Sequence, residues 1–169
     1  VNINRKSFAF EKWNDWDEIL FDTIKNSQLK KIINPNIKIK GSDKAPSAIE
    51  KALQNIENAN LSDFISIEKK DFFQVEKETK GPLHLLTNPP YGERLEGDMN
   101  MLYQGIGDAF KQSFPNTQAW MISSNMEALK FVGLRPSRKI KLFNGKLESR
   151  LLLYPIYEGT KRIHKLKDK

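Results

Sequence analysis

The chain has 169 residues, with 28 Lys and Arg against 21 Asp and Glu, a formal net charge of +7 and no cysteine. That length holds one domain with a real core and is short for two. The lack of cysteine excludes disulfides and cysteine-based catalysis or metal ligation. No apolar run approaches the ~20 residues of a membrane span, no signal peptide is visible, and a hydrophobic fraction of 38% with ten phenylalanines describes a folded globule. The positive charge fits an anionic partner such as nucleic acid, and fits equally a protein that is simply basic. A cytoplasmic location without membrane contact is the expectation.

Helix and strand signals alternate, which predicts an α/β architecture. After Asn14-Asp15, a candidate cap, Trp16, Ile19, Leu20 and Ile24 recur at helical spacing. Trp13 and Trp16 are expected in the core of that amphipathic element. Ile37-Lys38-Ile39-Lys40 alternates as a short strand and runs into Gly41-Ser42-Asp43. A helix follows, with Ile49, Ala52, Leu53, Ile56 and Ala59 on one face and Pro46 tolerated in its first turn. Phe64 to Ile67 reads as a strand leading to Asp71-Phe72-Phe73, and Leu83 to Thr87 as a buried strand that ends at Asn88.

Asp98 is placed to cap a helix carrying Leu102, Tyr103, Ile106, Phe110 and Phe114, stopped by Pro115. Ala119 to Ser123 is another apolar strand, and Met126 to Val132 a brief helix. Lys139–Phe143 and Leu147–Tyr154 flank Asn144-Gly145, the pair favoured in a type I′ turn, so a hairpin is predicted there. Residues 161–169 form a mostly basic tail beyond a body spanning 1–160.

Chemistry concentrates at Asn88-Pro89-Pro90-Tyr91 and the following Gly92-Glu93-Arg94-Leu95. Consecutive prolines fix φ, donate no backbone N–H and push each preceding residue to extended geometry. The result is a stiff turn presenting carbonyl oxygens, with an amide at its start and an aromatic ring at its end. In open α/β sheets ligands bind at the carboxyl ends of strands. Asp43, Asp71 and Asn88 all follow strand candidates, so parallel strands with helical crossovers would gather them on one edge. One Asp suits the two hydroxyls of a ribose, and a second, one strand over, suits an exocyclic amine. Each Asp alone is equally at home as a cap or loop residue.

Taken together, Gly41-Ser42-Asp43, Asp71-Phe72-Phe73 and Asn88 through Leu95 resemble an S-adenosylmethionine-dependent methyltransferase. The chain is most similar to the THUMP-associated RNA methyltransferases that make N2-methylguanine in 23S ribosomal RNA. Arg5 to Trp13, Ile122-Ser123-Ser124 and Lys139 to Glu148 support that narrower match. The resemblance implies a Rossmann-like sheet, mostly parallel with a C-terminal antiparallel hairpin. It implies catalysis by Asn88, Pro89, Pro90 and Tyr91, and cofactor binding by Asp43, Lys44, Asp71, Phe72 and Asn88. Tyr91, Arg94, Arg138 and Lys139 become the substrate contacts, with ribosomal RNA as partner and no metal. Two alternatives stay open: methylation of adenine N6 or of a tRNA guanine, and a noncatalytic RNA-binding domain.

The family carries a first strand and a Gly-rich cofactor loop ahead of the strand ending at Asp43, whereas residues 1–36 contain no glycine. The sheet is therefore expected to lack that strand and loop, with these and a THUMP region lying upstream in one full-length protein. The chain alone is expected to bind the cofactor weakly. His84, inside an apolar run, is expected to be buried and hydrogen-bonded. Arg135, Arg138, Lys139 and Lys141 divide evenly between a solvated face and phosphate contacts.

Overall fold

In a computed structural model that describes residues 7–34, 36–90 and 98–159, the chain divides into two compact units, Val1–Phe72 and Phe73–Lys169. The basic tail falls outside the described residues.

The first unit runs through a 3₁₀ turn (Ala9–Lys12), α1 (Glu18–Leu29), β1 (Ile39–Asp43), α2 (Pro46–Asn58) and β2 (Ile65–Lys69). The α1 cap is Asp17, whose carboxylate accepts from the Leu20 N–H at 2.9 Å, and not the expected Asn14-Asp15. Trp16 therefore precedes the helix, where its ring lies 5.4 Å from Phe10 and 5.0 Å from Phe21. Trp13 ends the 3₁₀ turn and is 66% exposed, so the expected core placement is wrong for it. Both strands begin one or two residues later than their apolar alternation suggests. Gly41 and Ser42 look loop-like in sequence, but parallel pairing with Ile67 and Glu68 makes them strand. α2 starts on Pro46, whose missing N–H costs nothing in a first turn. Its Ile49, Ala52, Ile56 and Ala59 are half-buried and Leu53 stays exposed.

The second unit holds β3 (Leu83–Thr87), α3 (Met99–Ser113), β4 (Thr117–Ser123), a 3₁₀ turn (Ala128–Val132), β5 (Arg138–Asn144) and β6 (Leu147–Ile156). Its sheet has the order β3-β4-β6-β5, with β3 parallel to β4 and β6 antiparallel to both neighbours. Asp98 caps α3 as expected, accepting from the Asn100 N–H at 2.8 Å. Tyr103, Ile106 and Phe110 on α3, with Phe114 beyond it, form the core together with Ala119, Met121, Leu152, Tyr154 and Ile156. Gly107 lies so close to the 3₁₀ turn that a Cβ there would overlap the Val132 carbonyl oxygen.

Two expectations fail in this unit. Asn144 pairs with Leu147, so the two-residue hairpin loop is Gly145-Lys146 and not Asn144-Gly145. Gly145 alone takes positive φ, at 61°, which places the glycine first in the loop, as in a type II′ turn. His84 is exposed because β3 alternates, with Leu83, Leu85 and Thr87 half-buried while His84 and Leu86 face out. The apolar run predicts a buried strand, but only the face carrying Leu83, Leu85 and Thr87 is turned inward.

Candidate functional site

β3 delivers Asn88 to the carboxyl edge of the four-stranded sheet. Asn88 is exposed, Pro89 is buried and Pro90 is exposed, so the first proline ring anchors the turn and leaves the polar group before it facing solvent. Tyr91 and Arg94 lie outside the described residues, as do Gly92, Glu93 and Leu95.

Behind the turn stands a group that the sequence reading did not identify as functional. The Tyr103 hydroxyl, on the buried face of α3, reaches the Pro90 carbonyl oxygen at 3.2 Å and the Ser123 Oγ at 2.6 Å. Ser123 ends β4 and accepts from the Asn125 N–H at 3.0 Å, and the Asn125 carboxamide accepts from the Ala128 N–H at 2.9 Å. Tyr103 and Ser123 have no exposed surface. A tyrosine in an apolar helical stripe and a serine closing an apolar strand were the available signal. Deeper in the core, burial and then the neighbouring Tyr103 push the Tyr154 phenol up to about 12.

β5 runs beside this edge. The register aligns Thr87, Met121, Leu152 and Lys139, so Lys139 stands level with the end of β3, three inter-strand spacings or about 14 Å away. Arg138 and Lys139 are both exposed, but as strand neighbours they face opposite sides of the sheet. Lys139 shares its face with Lys141 and Phe143. Lys141 is partly neutralised by Glu148 at 2.7 Å and lies 5.1 Å from the Phe143 ring centre. The expected basic cluster is thus divided between two faces.

In the first unit, β1 ends at Asp43 beside Lys69 of β2, and the Lys70 N–H donates to the Asp43 carbonyl. Asp71 follows within two residues, so the two acids sit at the same end of adjacent parallel strands. The Asp43 Oδ1 already accepts from the Ala45 N–H at 2.7 Å, which orders the entry to α2. A carboxylate offers about four lone-pair sites, so capping leaves acceptors for two ribose hydroxyls. Asp43 and the neighbouring Lys44 are exposed, while Asp71 and Phe72 are half-buried. These acceptors fit an adenosine: one acid for the ribose, one for the base amine, with Phe72 next to the second in sequence. Among the described residues no cluster of His, Asp and Glu could hold a metal, and no helix is long and apolar enough to cross a membrane.

The chain matches the RMKL-like methyltransferase domain over residues 2–152. It is 30% identical over 166 residues to a protein of Shewanella frigidimarina named ribosomal RNA large subunit methyltransferase K/L, covering 95% of this chain and 23% of that one. A protein of the same name from Cellvibrio japonicus is 31% identical over 166 residues, covering 91% and 22%. The chain thus spans about a quarter of the length of these relatives. Among solved structures, a possible methylase from Clostridium difficile 630 superposes with a TM-score of 0.76 at 29% identity, over 93% of this chain and 42% of that one. A putative methyltransferase complexed with SAH gives a TM-score of 0.75 at 25% identity, over 92% and 42%. The α/β fold with parallel strands and an antiparallel C-terminal pair is that of these solved structures, and the chain belongs to the RMKL-like methyltransferase domain family.

Proposed function

We propose that the protein carrying this chain transfers a methyl group from S-adenosylmethionine to the exocyclic N2 amine of a guanine in 23S ribosomal RNA, in the cytoplasm. The observation that carries this reading is the Asn88-Pro89-Pro90 turn at the carboxyl end of β3, with its first proline buried and Asn88 exposed. Residues 1–160 are read as the C-terminal portion of the methyltransferase domain.

When bound, S-adenosylmethionine supplies an electrophilic methyl group on a sulfonium. Asp43 is assigned the ribose hydroxyls, Asp71 the adenine amine, and Lys44 and Phe72 the flanks of the nucleoside. The guanine amine is a poor nucleophile because its lone pair is delocalised into the ring. The Asn88 side-chain oxygen and the Pro89 carbonyl accept its two N–H bonds. These acceptors favour the arrangement in which nitrogen becomes tetrahedral and positive, and they bind that state more strongly than the planar amine. Tyr91 is assigned to stacking on the flipped-out base. No strong general base is required, since the amine proton can leave to water after the transfer. Arg94, Arg138 and Lys139 are assigned to RNA phosphates, Arg138 and Lys139 from opposite faces of β5.

Asn88→Ala in the full-length protein tests the assignment. Methylation of 23S rRNA is expected to fall about a hundred- to a thousandfold, the scale for losing a preorganised polar contact to the reacting centre, with unchanged thermal stability. Turnover like that of the wild type would overturn it. If only adenine or tRNA accepts the methyl group, the turn keeps its role and the substrate is reassigned.

A further inference from the structure

We propose that Tyr103 is a positioning residue whose hydroxyl holds the Asn88-Pro89-Pro90 turn in its working geometry, as the last link of a one-way hydrogen-bond chain that starts at the Asn125 backbone. The inference rests on the amine-methylating role given to that turn.

The direction of the chain follows from counting protons. The Asn125 N–H can only donate and the Pro90 carbonyl can only accept. Ser123 and Tyr103 each have a single O–H. Only one arrangement puts a hydrogen between every pair: Asn125 N–H to Ser123 Oγ, Ser123 O–H to Tyr103 Oη, and Tyr103 O–H to the Pro90 carbonyl. Each hydroxyl then donates and accepts at once, and such chains polarise their members in the same sense. Both hydroxyls have no exposed surface, so water does not take over either contact.

The position of the chain gives it its consequence. Pro89 is buried and fixes the turn by its ring. Neither proline offers an N–H that the fold could hold, so the turn beyond Asn88 is held through its carbonyls. Tyr103 takes the Pro90 carbonyl and ties it to the N-terminal half of α3 and the end of β4, two elements that contribute to the core. An acceptor misplaced by about 1 Å costs roughly a hundredfold in rate, so the tie acts on turnover more than on binding of the methyl donor.

Tyr103→Phe removes the hydroxyl and leaves the ring in place. In the full-length protein its kcat is expected to fall about 10- to 100-fold, with KM for S-adenosylmethionine within threefold of wild type. Phe110→Leu, in the same helix and in contact with Tyr154, is the comparison. It is expected to lower the melting temperature with kcat within twofold. Hydrogen exchange reads the tie without turnover: peptides holding Asn88 and Asn125 should exchange faster in Tyr103→Phe and not in Phe110→Leu. If Tyr103→Phe does not fold, Ser123→Ala breaks the preceding link and should lower kcat about 3- to 10-fold. The positioning role is overturned if kcat of the hydroxyl variants stays within twofold of wild type, or if Phe110→Leu loses as much. If wild-type protein methylates no amine acceptor, the proposed function fails, and the exchange measurement alone decides the tie.

Discussion

The two units of the chain treat their apolar residues differently. In residues 73–159 a helix of 15 residues lies on a four-stranded sheet, and Tyr103, Phe110, Phe114, Met121 and Tyr154 are buried. In residues 7–72 no described residue is fully buried, although the sequence is as rich in isoleucine and phenylalanine. Ile19 is 82% exposed and Ile33 81%, and the strands form only a two-stranded sheet. A pair of strands with helices beside it encloses too little volume for a core. Sequence patterns therefore mark elements equally well in both units, while tertiary burial accompanies only one of them. Of the residues assigned to the methyl donor, Asp43, Lys44, Asp71 and Phe72 belong to the loosely packed unit, while Asn88 and Pro89, assigned to the acceptor amine, belong to the packed one.

That contrast can be broken at chosen positions. Gly107→Ala forces a methyl group against the Val132 carbonyl, and a backbone atom cannot step aside as a side-chain tip can. We expect a loss of about 3 kcal/mol or more in unfolding free energy, measured by denaturant titration of the 169-residue chain. A loss below about 1 kcal/mol would mean that α3 and the 3₁₀ turn are not tightly packed. Asp43→Ala should act on binding instead, raising the dissociation constant for S-adenosylmethionine in the full-length protein about 10- to 30-fold, or roughly 1.4–2 kcal/mol. Calorimetry showing an unchanged constant would remove Asp43 from the ribose. Ile19→Ser should do least, changing stability of the 169-residue chain by less than about 0.5 kcal/mol. A larger loss would show that the exposed face of α1 is covered in solution.

Much of this arrangement was readable in the sequence, for local reasons. β3 was predicted with its observed bounds because an apolar run and the prolines that follow it mark Leu83–Thr87. Asp98 stood out as a cap because an apolar helical stripe follows it directly. Elsewhere several candidates competed: Asn14, Asp15 and Asp17 can all cap a helix, and only packing of Trp16 against Phe10 and Phe21 separates them. β1 extends to Asp43 because strand pairing overrides the loop preference of Gly41 and Ser42. The hairpin was found, yet its loop lies one residue further on, since register across seven residue pairs and not the turn dipeptide alone sets it. At the site, Asn88 and the prolines were legible as a motif. The link from Tyr103 to Ser123 was not, because it joins a helix to a strand 20 residues on and no local rule marks it.

One feature of β3 bears on the handling of this polypeptide. The strand that carries Asn88 lies at the margin of its sheet, and its outward residues include Leu86, 73% exposed. Its five residues, Leu-His-Leu-Leu-Thr, contain no proline, lysine or acid, the residues with which proteins usually blunt such margins. Among the described residues no strand pairs with its outer side, and an unpaired margin is a template for another chain. Self-association of the 169-residue chain that rises with concentration is the expected outcome, read by light scattering.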